Sequence, residues 1–454
     1  MTTITEAQRA FFNTNQTKSI EFRINQLKKL KSVLQENEQK LNKAIEEDFS
    51  KSAFDNYSCE LGLLYMEIDE AIKKIRKWAE FKRVRTNLVN FPAKSYIIPE
   101  PLGVSLIIGA WNYPYQLSVG PAIAAIAAGN TVVLKPSELP VHTSKILAEI
   151  INRNFDPSFF KVVEGGVSET EGLLKQRFDK IFFTGSVNVG RIVYEAAAKH
   201  LTPVTLEMGG KSPAFILDDR NMEMYVKRLM WAKFLNAGQT CIAPDYVLVH
   251  QSLKQKFLDL AVAEIKREKY SIENQNYVQI INEKNMNRIR KMIDGAQVVC
   301  GGSFDLQKRI IEPTLLENIG FDDPIMKEEI FGPVLPVISF NLLDDVITEV
   351  KKREKPLSCY VFTQNKRIKD KILHEISFGG GAVNDAVMHI SNNKLPFGGV
   401  GESGIGSYHG EYGFKAFSHY KSILEKPTWF ESGLKYFPHN AQKLKIMKWM
   451  LGLR

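Results

Sequence analysis

One cysteine stands in a setting that suits a nucleophile. Cys241 lies in the segment FLNAGQTCIAP, residues 234–244, where its neighbours carry too little bulk to bury the sulfur. The apolar spacing of residues 231–235 predicts a helix before it, and the alternation of residues 245–250 predicts a strand after it. A thiol on a glycine-bearing loop between two rigid elements is placed to attack a substrate. The alternative is a buried structural thiol, which most free cysteines are.

Several other reactive or ligand-binding side chains directly follow predicted strands. Residues 102–206 alternate strands and helices at lengths typical of a parallel, doubly wound sheet. Ligands of such sheets bind at the carboxyl ends of the strands. The residues predicted at those ends are Asn112, Lys135, Glu138, Gly185, Ser186 and Glu207. Their shared placement predicts a nucleotide site at this edge of the sheet.

Two glycine-rich segments compete as the phosphate site. Residues 399–404 spell GxGxxG, but they follow a short loop that contains proline and have no strand–turn–helix frame, so we reject them. FTGSVNVG, residues 183–190, follows a predicted strand and opens a predicted helix, where main-chain N–H groups can bind a diphosphate. Gly185 would permit the turn and Gly190 close packing of the helix on the sheet, although glycines alone are as often structural.

Length and composition limit the classes of protein. The chain has 454 residues, which predicts two or three domains, and its 44% hydrophobic and 24% charged residues are ordinary for a soluble protein. The four cysteines form no CxxC pair, so we expect no metal site, no disulfide framework and a reduced, cytoplasmic setting. The net charge is +9, but basic and acidic residues are interleaved, which favours solvated helix faces over nucleic-acid binding.

Seven motifs occur in a fixed order along the chain. They are WNYP at 111–114, KPSE at 135–138, FTGSxxVG at 183–190, EMGGKSP at 207–213, NAGQTC at 236–241, EEIFGP at 328–333 and LPFGGVG at 395–401. Together they resemble the aldehyde dehydrogenase superfamily over essentially the whole chain. The WNYP form and the short N-terminus resemble the class 3, fatty-aldehyde branch. Small departures at Ala110, Val187 and Met208 bear on subtype, because none of them removes a reactive group.

The resemblance implies an oxidation of aldehydes to carboxylic acids through a covalent intermediate. Cys241 resembles the nucleophile, which forms a thiohemiacetal and then a thioester, so we expect a lowered thiol pKa. The side-chain amide of Asn112, with the main-chain N–H of Cys241, resembles the oxyanion hole. Glu207 resembles the general base that activates water to hydrolyse the thioester. Glu329 is a candidate for a second base.

A nicotinamide dinucleotide is the implied cofactor. The residues that resemble its contacts are Lys135 and Glu138 for the adenosine ribose, Gly185, Ser186 and Gly190 for the diphosphate, and Glu329 and Phe331 for the nicotinamide half. The carboxylate of Glu138 favours a 2′-hydroxyl, whereas the ammonium of Lys135 would favour a 2′-phosphate. We expect NAD, with NADP as the alternative.

The resemblance also implies an α/β fold of the aldehyde dehydrogenase type in a homodimer. It combines a Rossmann-type parallel-sheet cofactor domain, an α/β catalytic domain and small bridging strands used in oligomerisation. The predicted bounds are 1–86 and 102–206 for the cofactor domain, 207–383 for the catalytic domain, 87–101 and 384–430 for the bridging segments, and 431–454 for a C-terminal tail.

Substrate choice is predicted from aromatic residues and the tail. Tyr65, Tyr113, Tyr115 and Phe397 are expected to line a tunnel for medium- or long-chain aliphatic, or aromatic, aldehydes. The tail GLKYFPHNAQKLKIMKWMLGLR is basic and apolar but too short and interrupted to span a bilayer. Its three candidate roles are a lid on the tunnel, a dimer contact and a peripheral membrane anchor.

Two other functions compete with hydrolytic oxidation. In a CoA-acylating enzyme a thiol takes the acyl group, and Glu207 argues against this because a base for water would be unnecessary. The other candidate is a cofactor-binding protein without activity, which the joint presence of Cys241, Asn112 and Glu207 argues against.

Overall fold

A computed structural model describes residues 4–452, so the last two residues of the predicted tail and the first three of the predicted cofactor domain lie outside the described residues. The helices are α1 Ile4–Asn13, α2 Ile20–Glu36, α3 Glu38–Phe49, α4 Ala53–Asn56, α5 Gly62–Trp78, α6 Gln116–Ala128, α7 Val141–Asn154, α8 Val167–Leu174, α9 Val187–Ala198, α10 Met222–Phe234, α11 Lys254–Glu268, α12 Glu283–Met292, α13 Leu343–Lys351, α14 Lys366–Glu375, α15 Gly410–Ala416 and α16 Ala441–Met450. A π-helical turn, Tyr57–Leu61, joins α4 to α5.

The described strands form two large sheets, of six and seven strands, and two small sheets, of three and two strands. They are β1 Lys82–Val84, β2 Lys94–Pro101, β3 Val104–Ile108, β4 Thr131–Lys135, β5 Phe160–Val162, β6 Lys180–Thr184, β7 Val204–Glu207, β8 Pro213–Ile216, β9 Tyr246–His250, β10 Gln297–Cys300, β11 Phe304–Asp305, β12 Ile310–Ile311, β13 Thr314–Glu317, β14 Val334–Phe340, β15 Ser358–Phe362, β16 Gly380–Val383, β17 Gly404–Ile405 and β18 Ser418–Glu425.

The first large sheet has the strand order β17-β7-β6-β3-β4-β5, with β17 antiparallel and the remaining pairs parallel. Every residue of β3, β4 and β6 is buried, as expected for parallel strands covered by helices on both faces. α6 is built of small apolar residues and ends at Gly129, whose φ of 96° only glycine adopts readily. The predicted doubly wound sheet is thus confirmed.

Register brings the ends of these strands to one edge. Ile108 at the end of β3 is paired with Lys135 and with Phe183, and Thr184 at the end of β6 is paired with Glu207. The loops that follow the strands therefore open on the same side of the sheet. This edge carries the residues that the sequence singled out.

The second large sheet has the order β10-β13-β14-β9-β8-β15-β16 and is parallel except at β10. β9 lies near its centre and follows the loop that carries Cys241. A continuous cluster of buried apolar side chains includes residues from both large sheets. The two halves of the site are therefore fixed relative to each other by packing.

A small antiparallel sheet has the order β1-β2-β18. Its strands β2 and β18 pair over their whole lengths, Lys94 with Glu425 through Pro101 with Ser418. Strand β1, Lys82–Val84, pairs antiparallel with β2, so this sheet begins inside the segment predicted as cofactor domain, before the bridging segment predicted to start at residue 87. Between β1 and β2, residues 88–90 form a short 3₁₀ turn that ends at Phe91.

The C-terminal tail adds one helix, α16, and all of its apolar side chains lie on the surface. Leu444, Trp449 and Leu451 are each more than half exposed. Across residues 4–452, every helix falls short of the length and apolar character needed to cross a bilayer.

Candidate active site

Cys241 lies on the loop between α10 and β9, the two elements that the sequence placed on either side of it. α10 ends at Phe234, and the chain then turns through Asn236 and Ala237, which have left-handed φ angles of 54° and 51°. Left-handed backbone is costly for residues other than glycine and is retained where surrounding contacts enforce it. The half-buried thiol of Cys241 follows this turn and lies near enough to Glu207, at the end of β7, for that charge to act on its pKa.

Side-chain amides join this loop to the loop after β3. Asn112 Nδ2 donates to the carbonyl of Gln239 at 3.0 Å, and Asn236 Nδ2 donates to the carbonyls of Asn112 at 3.0 Å and Gln239 at 3.1 Å. Asn112 is 2% exposed. These bonds fix the amide of Asn112 beside the nucleophile loop. The sequence placed Asn236 and Gln239 next to the cysteine without showing that they join the two loops.

Tyr360 holds the other side of the nucleophile. It is fully buried in β15, and its hydroxyl donates to the carbonyl of Ile242 at 2.5 Å. The peptide that follows Cys241 is therefore fixed from the second sheet. Sequence reasoning missed Tyr360, because nothing local distinguishes it from any other aromatic residue of a buried strand.

The electrostatic setting of the thiol differs from the expectation. Burial, followed by the nearby carboxylates of Glu329 and Glu207, raises the pKa of the Cys241 thiol, while the N–H groups of Cys241 and Ile242 act in the opposite sense. The predicted lowering of the Cys241 pKa is therefore wrong for the protein without bound coenzyme or substrate. A thiol held protonated beside two carboxylates needs one of them to remove its proton.

Glu207 ends β7 and is 2% exposed. In the described part of the chain neither of its carboxylate oxygens has a hydrogen-bond partner, and burial raises its pKa well above the usual value. Gly404 of β17 pairs with it across the sheet. The glycine-rich segment that was rejected as a phosphate site thus lies beside the main chain of Glu207.

Glu329 supplies a second carboxylate near the thiol, since its charge acts on the pKa of Cys241. A side chain at Gly209 would place its Cβ 2.1 Å from Glu329 Oε2, so only glycine leaves room for this carboxylate. Burial and Asp245 raise the pKa of Glu329 to about 8, against the effect of the Gly210 N–H. Such a carboxyl group exchanges protons near neutral pH.

A charged network holds the segment that carries Glu329. Arg288 donates to the carbonyl of Glu329 at 3.1 Å and to that of Ile330 at 2.6 Å, and Asp245 accepts the N–H of Ile330 at 2.9 Å. Next along the chain, Phe331 has a left-handed φ of 49° and its ring meets Trp111 edge-on at 5.2 Å. No local pattern predicted the role of Arg288, which lies far from this segment along the chain.

The edge predicted to bind the dinucleotide fits one. α9 begins after Ser186, whose side chain, within the described residues, makes no capping bond, so the first N–H groups of the helix face an incoming anion. A Cβ at Gly190 would lie 2.5 Å from Met208 Sδ, so the helix approaches the sheet closely there, as predicted. Gly185 joins β6 to this helix.

Lys135 and Glu138 lie at the neighbouring strand end. Lys135 Nζ donates to the carbonyl of Pro136 at 2.7 Å and lies 3.8 Å from Glu138 Oε2. Lys135 is buried, and burial lowers its pKa against the effect of Glu138, whose carboxylate is about half exposed. The more exposed member of the pair is thus the acid.

Four aromatic residues were predicted to line a substrate tunnel, and two of them do not. Tyr115 is fully buried with its hydroxyl donating to the carbonyl of Leu41 at 2.8 Å, and Tyr65 is buried with its hydroxyl bound to Glu38 at 3.1 Å. Both predictions are wrong, because these side chains pack the helical layer. Helical periodicity could not distinguish a residue facing the core from one facing a tunnel.

The other two aromatic residues lie by the candidate site. The hydroxyl of Tyr113 is 2.7 Å from Thr240 Oγ1, next to the nucleophile. Phe397 stacks on His409 with ring centroids 5.2 Å apart and meets Tyr408 edge-on at 5.8 Å. Tyr408, which the sequence did not single out, lies close enough to Glu207 and Cys241 for their charges to raise its pKa, after burial.

Comparison with known proteins is consistent with this geometry. The model of the aldehyde dehydrogenase family matches residues 2–423. The 4,4'-diaponeurosporen-aldehyde dehydrogenase of Staphylococcus aureus (strain NCTC 8325 / PS 47) is 46% identical over 445 residues, covering 97% of this chain and 96% of that protein. Aldehyde dehydrogenase family 3 member A2 of Mus musculus is 42% identical over 449 residues, covering 98% and 92%. A solved structure of the substrate-bound state of Staphylococcus aureus AldH has a TM-score of 0.95 at 44% identity and covers 98% of each chain.

Proposed function

Because this chain belongs to the aldehyde dehydrogenase family, in its class 3 branch, and oxidises aldehydes with NAD or NADP, we propose that it does so through a covalent intermediate on Cys241. One observation supports this assignment above all. The thiol lies on a loop that Asn112 joins to the cofactor sheet, and the carboxylates of Glu207 and Glu329 lie near enough to raise its pKa.

The first step is attack of the sulfur on the aldehyde carbonyl. The raised pKa of the thiol means that a base must take its proton, and Glu329, with a pKa of about 8, is the carboxyl group suited to do so. The carbon–sulfur bond forms as the carbonyl oxygen gains negative charge. The product is a thiohemiacetal on Cys241.

The negative oxygen needs hydrogen-bond donors at the moment it forms. One N–H of the Asn112 amide is bound to Gln239, which leaves the second N–H for the substrate oxygen. The main-chain N–H of Cys241 is the second candidate donor. Each such donor contributes about 2.7–4 kcal/mol to transition-state stabilisation.

The dinucleotide supplies the hydride acceptor when bound. Phe331 and Trp111, packed edge to face at 5.2 Å, offer an aromatic wall beside Glu329 for its nicotinamide half. Loss of hydride from the thiohemiacetal leaves a thioester on Cys241. We propose that Lys135, Glu138, Gly185, Ser186 and Gly190 bind the other half. The exposed carboxylate of Glu138 supports a preference for NAD over NADP.

Hydrolysis of the thioester completes the reaction. The buried carboxylate of Glu207 lacks a hydrogen-bond partner among residues 4–452, so its oxygens are free to take a proton from water. Water adds to the thioester carbon, the carbon–sulfur bond breaks, and a carboxylate is released with the thiol restored. The CoA-acylating alternative is not favoured, since the similar proteins are named as aldehyde dehydrogenases.

We assign the substrate pocket to the aromatic surface near the thiol. Tyr113 and Phe397 supply it, with Tyr408 packed edge-on against Phe397, and such a surface suits medium- or long-chain aliphatic, or aromatic, aldehydes. The exposed apolar side chains of α16 support a role for the tail as a lid over an apolar opening. Liposome sedimentation with and without residues 441–454 tests the competing membrane anchor, which fails if both proteins stay in solution.

Assembly and location follow from surface features. Strand β18 is an unpaired sheet edge with Tyr420 and Leu424 exposed, which supports a homodimer built through this antiparallel sheet. The four free cysteines support a cytoplasmic setting. We keep the predicted domain bounds, with the bridging sheet extended to start at Lys82.

The experiment is a product assay. The protein is incubated with NAD⁺ or NADP⁺ and aldehydes of rising chain length, with and without free CoA, beside a Cys241→Ala control. Reduced cofactor and carboxylate in equal amounts, lost in the control, are expected. Acyl-CoA without carboxylate would overturn the hydrolytic step, and turnover by the control would overturn the nucleophile.

A further inference from the structure

A buried ion pair lies behind the loop that carries Asn112. Lys51 follows α3, and Glu60 lies in the π-helical turn before α5. Lys51 Nζ is 2.9 Å from Glu60 Oε1, and the two side chains are 2% and 0% exposed. The pair is separate from the nucleophile, the two candidate bases and the dinucleotide edge.

The second oxygen of Glu60 caps α6 from another part of the chain. Glu60 Oε2 accepts the main-chain N–H of Tyr115 at 2.8 Å and that of Gln116 at 3.3 Å. Tyr115, which precedes α6, provides no side-chain cap of its own in the described structure. A negative charge is favourable at a helix N-terminus, where N–H groups lack partners. Glu60 therefore fixes the point at which the Asn112 loop enters the helix.

The ammonium of Lys51 acts on the same loop from its other side. Lys51 Nζ lies 4.6 Å from the centroid of the Tyr113 ring, a distance at which a cation is attracted to the ring face. The Tyr113 hydroxyl is 2.7 Å from Thr240 Oγ1, and Thr240 immediately precedes Cys241. Lys51 thus steadies a side chain that connects the Asn112 loop to the nucleophile loop.

Packing alone does not require this pair. Taking two charges out of water costs free energy that their mutual attraction returns only in part, and two apolar side chains often stabilise a core equally well. Apolar side chains, however, supply no acceptor for the two N–H groups at the start of α6. The ion pair instead fixes the position of the loop, because Glu60 binds the main chain of Tyr115 after Pro114 and Lys51 contacts the Tyr113 ring before it.

We propose that Lys51 and Glu60 are positioning residues that hold the side-chain amide of Asn112 in register with Cys241. They act through Tyr113 and the main chain of Tyr115. This inference rests on the proposed role of Asn112 as an oxyanion donor. A small displacement of the amide slows the chemical step, because oxyanion donors work only at the correct distance. Binding of the adenosine half of the coenzyme is unaffected, since its candidate residues Lys135 and Glu138 lie on another strand end, whereas Trp111 shares the loop of Asn112.

A double-mutant cycle between Glu60 and Asn112 tests the proposal. The rate of hydride transfer in a single turnover is measured for wild type, Glu60→Gln, Asn112→Ala and the double variant, with NAD⁺ binding as the second readout. We expect Glu60→Gln to slow the step about 10- to 100-fold and Asn112→Ala about 100- to 1,000-fold, with NAD⁺ affinity changed much less than the rate. We expect the double variant to be no slower than Asn112→Ala, because the two residues act through one group.

Controls separate positioning from general destabilisation. Lys180→Met removes another buried lysine, whose Nζ donates to Thr205 Oγ1 at 2.7 Å, and its single-turnover rate should stay at the wild-type value. If Glu60→Gln leaves Lys51 unpaired and does not fold, the neutral pair Lys51→Met with Glu60→Gln replaces it in the cycle.

The outcomes distinguish this inference from the function on which it rests. Slowing factors of Glu60→Gln and Asn112→Ala that multiply in the double variant would overturn the positioning role and leave the oxyanion role intact. A wild-type rate in Asn112→Ala would overturn the oxyanion role, and the positioning role with it. A wild-type rate in both Glu60→Gln and the neutral pair would overturn the positioning role alone.

Discussion

Replacing Glu207 by glutamine separates the two halves of the proposed reaction. Glutamine has the shape of glutamate but cannot take a proton from water. Both carboxylate oxygens of Glu207 are buried, and across the described residues they make no hydrogen bond that the substitution would break. We therefore expect the variant to fold with nearly the wild-type melting temperature and to fail only at the hydrolysis of the thioester.

The size of the effect follows from the role of a general base. Proton transfer by a positioned base contributes about 10²–10⁴-fold to a rate, which corresponds to about 3–5 kcal/mol of barrier. We expect the steady-state rate to fall by this factor, while the first turnover keeps its wild-type rate. Because burial raises the pKa of Glu207, the wild-type hydrolysis rate should rise with pH as the carboxyl group ionises, and this rise should be absent from the variant.

The assay is rapid mixing with saturating aldehyde and NAD⁺, followed by reduced cofactor. The variant should give a burst of one reduced cofactor per subunit and then a very slow linear phase. Glu264→Gln is the matched control, since Glu264 is another carboxylate whose pKa is raised by burial, but it lies on α11 outside the candidate site. Loss of the burst together with the linear phase, or no change in either, would refute the assignment of Glu207.

Four further expectations concern other groups. Glu329→Gln should remove the rise in burst rate that centres near pH 8 in the wild type, measured by rapid mixing across pH, because the pKa of Glu329 is raised to about 8. Glu138→Gln should raise the NADP⁺/NAD⁺ ratio of kcat/KM by about two- to fivefold, since a screened like-charge repulsion is lost. Tyr360→Phe should cost about 1 kcal/mol in denaturant unfolding and slow the burst, because the hydroxyl holds the peptide beside the nucleophile. Burial lowers the pKa of Lys180 from 10.5 to about 7, so between these two pH values the unfolded chain binds one proton more than the folded chain. The free energy of unfolding, measured by urea titration, should therefore rise with pH over this range. This rise should be absent from Lys180→Met.

Sequence reasoning succeeded where a local pattern has a direct structural consequence. The alternating strands and helices of residues 102–206 predicted the parallel sheet, since a strand buried on both faces is a run of apolar residues and the helix that connects it to the next strand follows within a few residues. The turn residues after those strands then had to share one edge. Cys241 was placed correctly for the same reason, because a helix and a strand flank its loop on the chain.

It failed where a property depends on groups distant along the chain. The direction of the Cys241 pKa shift was wrong, since the nearby Glu207 and Glu329 and the burial of the thiol are tertiary features. Tyr115 was predicted to line the tunnel, whereas its hydroxyl donates to the carbonyl of Leu41 in another helix. Such pairings leave no trace in local spacing.

The residues that fix the site geometry were also invisible to the sequence. Tyr360, Arg288 and Glu60 lie far from the motifs, and each acts on a main-chain group that the motifs carry. Main-chain acceptors and donors have no residue signature, so only the fold reveals which side chain reaches them. The candidate catalytic groups were therefore predictable, and their supports were not.

The covalent intermediate is the most direct test of the account. The Glu207→Gln protein is mixed with NAD⁺ and a long-chain aldehyde, quenched in acid and examined by intact-mass and peptide mass spectrometry. We expect one acyl group per chain, on the peptide that contains Cys241, and no acyl group when NAD⁺ is left out. An unmodified protein after a full burst of reduced cofactor, or an acyl group on Cys59 or Cys300 instead, would contradict it.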